Sequence, residues 1–162
     1  MAITANELMG KLVDDKKYQT MIKRNQKNHN IELKILVDDE RELVKELNSL
    51  GFAVKSVWDF VNNTPHSFLE RNFIGKYNSA YPVLVKHLDI NHKKMIREGI
   101  IRSLIEKDAY DVAGEKLIDH FYKEEDKNLK WILSVACKKV IPLKERKKYL
   151  EIDQYYKDKG NT

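Results

Sequence analysis

The second half of the chain is a succession of amphipathic segments, and this pattern constrains the fold more than any other feature. From Ser79 to Val140, apolar residues recur every three or four positions, and only short polar turns interrupt them. The whole chain has only six Gly and three Pro, whereas sandwiches and barrels need frequent turn residues. The sequence therefore predicts an all-α fold without strands.

Polar residues just before the apolar patterns predict where the helices begin. A helix is also expected through the polar segment 23–30, because Leu33, Ile35 and Leu36 resume an apolar pattern after it. Gly51 stands where a left-handed C-terminal cap belongs. A last, strongly charged helix is expected over 143–155, after Pro142. The residues expected to cap helix starts are Thr4 with Glu7, Asp14 or Asp15, Asp38 or Asp39, Ser56 with Asp59, Asn91, Asp108 and Asp126.

An internal repeat relates two of these predicted helices. The segment REGIIRSLI, which begins at Arg97, aligns with KWILSVACK, which begins at Lys130, at an offset of 33 residues. Each segment follows another amphipathic helix and a short turn. Helix–turn–helix units of this length are typical of an α-solenoid, in which each unit buries its apolar side by stacking on its neighbours.

Four stretches of the chain carry a family resemblance. They are ELVKELNSLGFAVKSVWDFVN, AYPVLVKHL, IREGIIRSLIEKDA and LKWILSVACKKV, which together cover roughly residues 38–62 and 79–140. In these stretches the chain resembles small bacterial HEAT-like repeat proteins. The resemblance implies a short HEAT-like α-solenoid of antiparallel helix pairs.

We therefore expect one helical-repeat domain over residues 1–162. Its expected parts are N-terminal capping helices over 1–37, repeat units over 38–62, 79–105 and 108–140, an inserted connection over 63–78, and a C-terminal capping helix over 143–156.

Patterns that support catalysis or metal binding are scarce. The single cysteine, Cys137, lies on an apolar helix face and provides no zinc-ligand cluster. His87 and His92 are five residues apart across a predicted turn, and no two histidines have metal-ligand helical spacing. The motifs of serine hydrolases, zinc proteases and phosphate-binding loops are absent from the sequence. We therefore expect a non-enzymatic protein without a metal or another cofactor.

A binding surface is easier to assemble from the sequence. In stacked helix pairs, the second helix of each unit lines the concave surface, which is the usual recognition face. Aromatic and arginine side chains dominate interface energetics, so this surface predicts an acidic protein partner. Core packing is the alternative for both tryptophans and is favoured for Trp58. The expected partner-binding residues are Trp58, Asp59, Asn62, Lys94, Arg97, Glu98, Arg102, Lys127, Lys130, Trp131, Ser134 and Lys138.

The net charge of +5 is unevenly distributed. Residues 1–90 hold 13 Lys and Arg against 12 Asp and Glu, whereas six basic residues between Lys138 and Lys148 oppose only Glu145. This basic cluster is explained most simply as a solvated helix face. A nucleic-acid backbone is the alternative ligand for it.

These observations predict a non-enzymatic protein-binding module that acts through its concave face. Its most specific form is an immunity or inhibitor protein that neutralises a toxin or an enzyme. The alternatives are a nucleic-acid-binding protein, similar to HEAT-like DNA glycosylases, and a general adaptor or scaffold. Because no apolar run approaches eighteen residues and the start lacks an export-signal pattern, we expect a cytoplasmic protein without membrane contact.

Overall fold

The computed structural model describes residues 15–63 and 75–160, together with Gly10. Within these residues all regular structure is helical and no strand occurs, which confirms the all-α prediction. The described residues divide into two compact units, with the boundary between Asp38 and Asp39. The predicted cap at Thr4 and Glu7, and residues 64–74 of the predicted insertion, lie outside the described residues.

Helix α1 (Lys16–Asp39) supplies most of the described part of the first unit. The Asp15 carboxylate accepts hydrogen bonds from the amides of Lys17 at 2.8 Å and Tyr18 at 3.2 Å, so this residue caps the helix as predicted. The helix continues through the polar segment 23–30, also as predicted, and none of its residues is buried.

The described residues of the second unit form eight further helices. They are α2 (Arg41–Ser49), α3 (Trp58–Val61), α4 (Tyr81–Leu88), α5 (Lys94–Ser103), α6 (Tyr110–Lys123), α7 (Lys127–Val140), α8 (Leu143–Arg146) and α9 (Leu150–Gly160). Two short 3₁₀ turns, Asn78–Ala80 and Lys107–Ala109, lead directly into α4 and α6.

Several predicted caps are present in the second unit. Gly51 follows α2 with a φ of +93°, the left-handed conformation that favours glycine. At α3, the Ser56 hydroxyl accepts from the Trp58 amide at 3.3 Å, and the Asp59 carboxylate accepts from the Ser56 amide at 3.2 Å. This reciprocal arrangement resembles a capping box. The Asp126 carboxylate caps α7 by accepting from two backbone amides.

Other predicted boundaries are wrong. Helix α5 begins after Lys93 rather than after Asn91. Neither Asp38 nor Asp39 caps α2, because α1 continues through Asp39 and α2 begins without a side-chain cap. The helix expected over 143–155 is divided into α8 and α9 by a turn.

The helices of the second unit contact one another in two rows. Helices α2, α4 and α6 touch in succession, and so do helices α3, α5, α7 and α9. Consecutive helices connect the rows, because α4 packs on α5 and α6 packs on α7. The apolar residues that face these contacts include Leu84, Ile100, Leu117 and Leu133, which are all fully buried.

The two segments aligned by the repeat occupy α5 and α7 and bury equivalent positions. The buried pairs are Ile96 and Leu129, Ile100 and Leu133, Ile101 and Ser134, Ser103 and Ala136, and Leu104 and Cys137. Cys137 is therefore a core residue, as its position on an apolar face predicted. Its burial raises the pKa of the thiol to about 12, so the thiolate needed for nucleophilic chemistry is disfavoured at neutral pH.

Gly99 lies where α5 approaches α3 closely, and we predict that Gly99→Ala is destabilising. A Cβ at this position would lie 2.6 Å from Val57 Cγ1 and 3.1 Å from Trp58 Nε1. Because the branched Val57 side chain is fully buried, relief requires α3 to shift. We expect the free energy of unfolding to fall by about 1–3 kcal/mol in a urea titration, despite the better helix propensity of alanine.

Gly114→Ala is the matched control for this substitution. The three atoms nearest to its new Cβ all belong to the half-buried ring of Tyr110, one turn earlier on the same helix. The ring can move, so the cost should be smaller than at Gly99. Equal stabilities for the two variants would contradict the close approach as the cause.

Candidate functional site

Three of the basic residues expected to face a partner instead contact the loop between α6 and α7. Lys94 Nζ lies 2.7 Å from Asp126 Oδ2, and Arg97 Nη2 lies 2.6 Å from Glu124 Oε2. The Lys130 ammonium donates a hydrogen bond to the Glu124 carbonyl at 3.3 Å. We call these five residues the loop clasp, because they join α5 and α7 to the loop that precedes α7.

The carboxylate of Glu124 is the most enclosed charge of the loop clasp. The Glu124 side chain is 7% exposed and the Arg97 side chain 23% exposed. The second carboxylate oxygen accepts from the Asp126 amide at 3.0 Å. An ion pair with this much burial and a second hydrogen bond contributes more than a typical surface pair.

We predict that Glu124→Gln lowers the free energy of unfolding by about 1–3 kcal/mol, because the Arg97 guanidinium loses its charged acceptor in a partly buried site. Denaturant titration at neutral pH measures this change. Glu125→Gln, which removes the same charge from an exposed neighbour, is the control and should cost little. Equal effects of the two substitutions would show that the pair with Arg97 is unimportant.

Four of the predicted partner-binding residues line one open groove beside α5 and α7. These are Glu98, Arg102, Lys127 and Trp131, and the groove has a volume of about 380 Å³. We call this groove, which Lys159 also lines, the Trp131 groove. The Trp131 side chain is 37% exposed, which leaves a large apolar surface open to solvent.

The rim of the Trp131 groove is predominantly basic. Among the charged residues that line it, Arg102, Lys127 and Lys159 oppose the single carboxylate of Glu98. Arg102 Nε lies 2.8 Å from Glu98 Oε1, so this carboxylate is already paired with a cation one helical turn away. The groove therefore presents an exposed indole ring beside an excess of positive charge.

The three predicted residues around α3 do not line the Trp131 groove. Trp58 is half-buried, lies close to Gly99 and has an indole Nε1 with no hydrogen-bond partner in the described part of the chain. Asp59 accepts from the Lys55 amide at 2.7 Å and so has a local structural role. Asn62 is exposed just after α3.

Two further predicted residues on α7 have structural contacts. Ser134 is fully buried, and its hydroxyl donates to the Trp131 carbonyl at 2.6 Å. It therefore belongs to the core and not to the surface where the sequence analysis placed it. Its alignment with Ile101 in the repeat was the signal for this burial. Lys138 Nζ lies 3.6 Å from the ring centre of Tyr156, a cation–π contact between α7 and α9.

The basic cluster between residues 138 and 148 also contacts acidic residues. Arg146 Nε lies 3.0 Å from Asp153 Oδ1, and Lys148 pairs with Glu145. These contacts reduce the positive field that the sequence alone suggests. They favour the interpretation of this segment as a helix face with local charge pairs.

Two buried histidines form a polar cluster that the sequence analysis did not anticipate. His87 Nδ1, on α4, lies 3.0 Å from His92 Nε2, in the turn before α5. At the outer ends, His87 Nε2 lies 3.3 Å from Glu46 Oε1, and His92 Nδ1 lies 3.2 Å from Asp39 Oδ2. We call these four residues the histidine chain. The sequence signal for this cluster was the five-residue spacing of the two histidines across a turn, because a turn reverses the chain and brings the second ring back towards the first.

The surroundings of the histidine chain shift the pKa values of its members. Burial lowers the pKa of His87 and outweighs its contact with Glu46, which acts to raise it. A hydrogen bond from Lys86 lowers the pKa of the Glu46 carboxyl, so Glu46 is an ionised acceptor at neutral pH. Asp39 Oδ2 also accepts from the Lys93 amide at 2.8 Å.

Within residues 15–63 and 75–160, no group of three or more His, Cys, Asp or Glu side chains is arranged to hold a metal ion. In the same part of the chain, no helix combines the length and apolar character needed to span a bilayer.

Comparison of the chain with protein-family models, with curated proteins and with solved structures finds no match. The resemblance to HEAT-like repeat proteins therefore stays a prediction from the sequence.

Proposed function

We propose that the second unit is a short HEAT-like α-solenoid that acts as a non-enzymatic protein-binding module. The two rows of helix contacts and the equivalent burial in α5 and α7 support the solenoid. The observation that carries the function is the Trp131 groove, where an exposed tryptophan lies beside three basic side chains.

The chemistry of this groove favours an acidic protein surface as the partner. Tryptophan and arginine are the residues whose burial contributes most to protein–protein binding. Lys127 and Lys159 lie at the groove with Arg102, and a carboxylate-bearing partner would complement their charge. The partner would cover the indole ring and place its acidic groups at the basic rim.

The loop clasp favours a protein over a nucleic acid. A nucleic-acid backbone is bound by many Lys and Arg side chains, which displace the counterions condensed on its phosphates. In this chain Lys94 and Arg97 already face the carboxylates of Asp126 and Glu124. The phosphates of a nucleic acid would have to displace these carboxylates. A partner at the Trp131 groove leaves these pairs intact.

The most specific form of the proposal is an inhibitor or immunity protein that neutralises a toxin or an enzyme, and the broader form is an adaptor or scaffold. The two forms differ in what the complex does. An inhibitor forms a stoichiometric complex that abolishes the activity of its partner, whereas an adaptor leaves that activity unchanged.

Affinity capture with the full chain, followed by calorimetry with the purified partner, tests the proposal. Lys127→Glu should weaken binding at least about tenfold, the equivalent of one close charge pair. Lys139→Glu is the matched control, because Lys139 is an exposed lysine on the same helix and does not line the groove. Equal affinities for the two variants would remove the groove from the interface. Salt-sensitive binding of duplex or single-stranded DNA or RNA, without a protein partner, would overturn the proposal.

A further inference from the structure

The rings of His87 and His92 meet edge to edge, in the geometry of a nitrogen–nitrogen hydrogen bond. Their centres are 5.2 Å apart and their planes differ by 20°, while the facing nitrogens are 3.0 Å apart. The difference between the two distances is close to the sum of the two ring radii. The facing nitrogens therefore lie near the line that joins the ring centres, where one proton between them completes a hydrogen bond.

The histidine chain contains three contacts, and each needs one proton. Glu46 and Asp39 accept from Lys86 and from the Lys93 amide as well as facing the rings, so the outer ring nitrogens must donate to them. The contact between the rings needs one donor and one acceptor. Three protons on four ring nitrogens correspond to one imidazolium and one neutral imidazole.

Both alternative protonation states leave one contact unfavourable. If both rings are neutral, either one ring nitrogen presents a lone pair to a carboxylate, or the two facing nitrogens present their lone pairs to each other. If both rings are charged, two N–H groups face each other at a separation of 3.0 Å between their nitrogens. Because the side chain of His87 is 2% exposed and that of His92 is 5% exposed, water cannot readily replace the lost partner.

We propose that His87 and His92 share one added proton between the carboxylates of Glu46 and Asp39, and that this singly charged pair is a pH-dependent tie between the segment 39–46 and the α4–α5 hairpin. Protons then enter in two separate steps that belong to the pair as a whole. The tie is complete only between those steps.

The charged groups on the neighbouring elements have other close contacts. Lys86, on the same helix as His87, pairs with Glu46. On α6, which packs against α4, Lys116 and His120 both contact Asp89. On α5, Lys94 and Arg97 face the α6–α7 loop. The carboxylates that face the two rings are thus those of Glu46 and Asp39.

The proposal fixes the sign of the pH dependence. Because the first proton completes all three contacts of the histidine chain, its stabilisation is lost as the pH rises through the first step of the folded pair. The second proton binds more weakly in the folded state, so stability falls as the pH drops from about 6.5 through the second step. The contribution of the pair to stability is greatest between the two steps.

Long-range ¹H–¹⁵N correlation spectra of the full chain, recorded across a pH titration, test the proposal without any substitution. We expect the two rings to gain their protons in two resolved steps, with His29, an exposed histidine on α1, as the internal reference. The two steps should be separated by more than about one pH unit. A single step for both rings together with His29 would overturn the proposal, as would two neutral rings throughout the neutral range.

His92→Gln gives a second readout. A glutamine amide can donate and accept hydrogen bonds but takes no proton in this range, so the maximum of stability between the two steps should flatten. His29→Gln is the control and should keep the wild-type profile. The proposal is overturned if both variants retain that maximum, and the spectra of the wild-type chain decide the question if His92→Gln does not fold.

Discussion

Leu133→Ala is expected to lower the free energy of unfolding by about 2–5 kcal/mol, the range for truncating a fully buried leucine. Leu133 has no exposed surface and lies on α7, which contacts α5, α6 and α9. A cavity at this position therefore removes packing between several neighbouring helices. Urea denaturation followed by circular dichroism measures the change, with the fitted slope used to check that unfolding remains two-state.

Two further truncations serve as controls. Leu150→Ala removes the same atoms from a side chain that is 70% exposed, so its effect should remain within about 0.5 kcal/mol. Ile100→Ala removes the aligned core residue of α5 and should cost about as much as Leu133→Ala. If Leu133→Ala costs no more than Leu150→Ala, the described packing of α7 is wrong.

Trp131→Ala is expected to weaken the binding of the protein partner about 30-fold or more, which corresponds to about 2 kcal/mol and is the usual threshold for an interface hot spot. The reason is the loss of the one large apolar side chain exposed in the Trp131 groove. Isothermal titration calorimetry with the partner recovered by affinity capture gives the dissociation constants.

Val112→Ala is the comparison for Trp131→Ala. Val112 lies on α6, is 43% exposed and does not line the groove, so its truncation should leave the affinity within about twofold. Because Trp131 is only 37% exposed, Trp131→Ala should also lower the free energy of unfolding, so circular dichroism must show that the variant is folded under the conditions of the titration. An unchanged affinity for Trp131→Ala would exclude the groove as the centre of the interface.

The helices could be predicted because their apolar spacing is a local property of the sequence. The start of α7 at Asp126 is the clearest case, since its carboxylate accepts from amides two and three residues later. Asp108 shows where this reasoning fails. Its carboxylate accepts from the Tyr81 hydroxyl at 2.8 Å and pairs with Lys76, and α6 begins after it. A short acidic residue can accept from a nearby amide or from a distant side chain, and sequence alone does not distinguish the two uses.

The candidate site was predicted only in part for a related reason. Helical spacing placed Lys94 and Arg97 on one polar stripe, but their partners, Glu124 and Asp126, are 27–32 residues away in the chain. Only the packing of α5 against α7 brings these charges together. Trp131 is exposed to a partner because its position on α7 places it at the surface of the groove. Helical periodicity alone did not decide whether this side chain belongs to the core or to an interface.

The loop clasp has a consequence for how this chain can be shortened or extended. Lys94 and Arg97 belong to the α4–α5 hairpin, but their counter-charges belong to the loop inside the next hairpin. A truncation before residue 124 would therefore leave both cations without those partners, even if every residue of the first hairpin were retained. An extra hairpin would have to carry its own acidic loop. A repeat added to this chain should therefore include one hairpin and the loop of the hairpin that follows it.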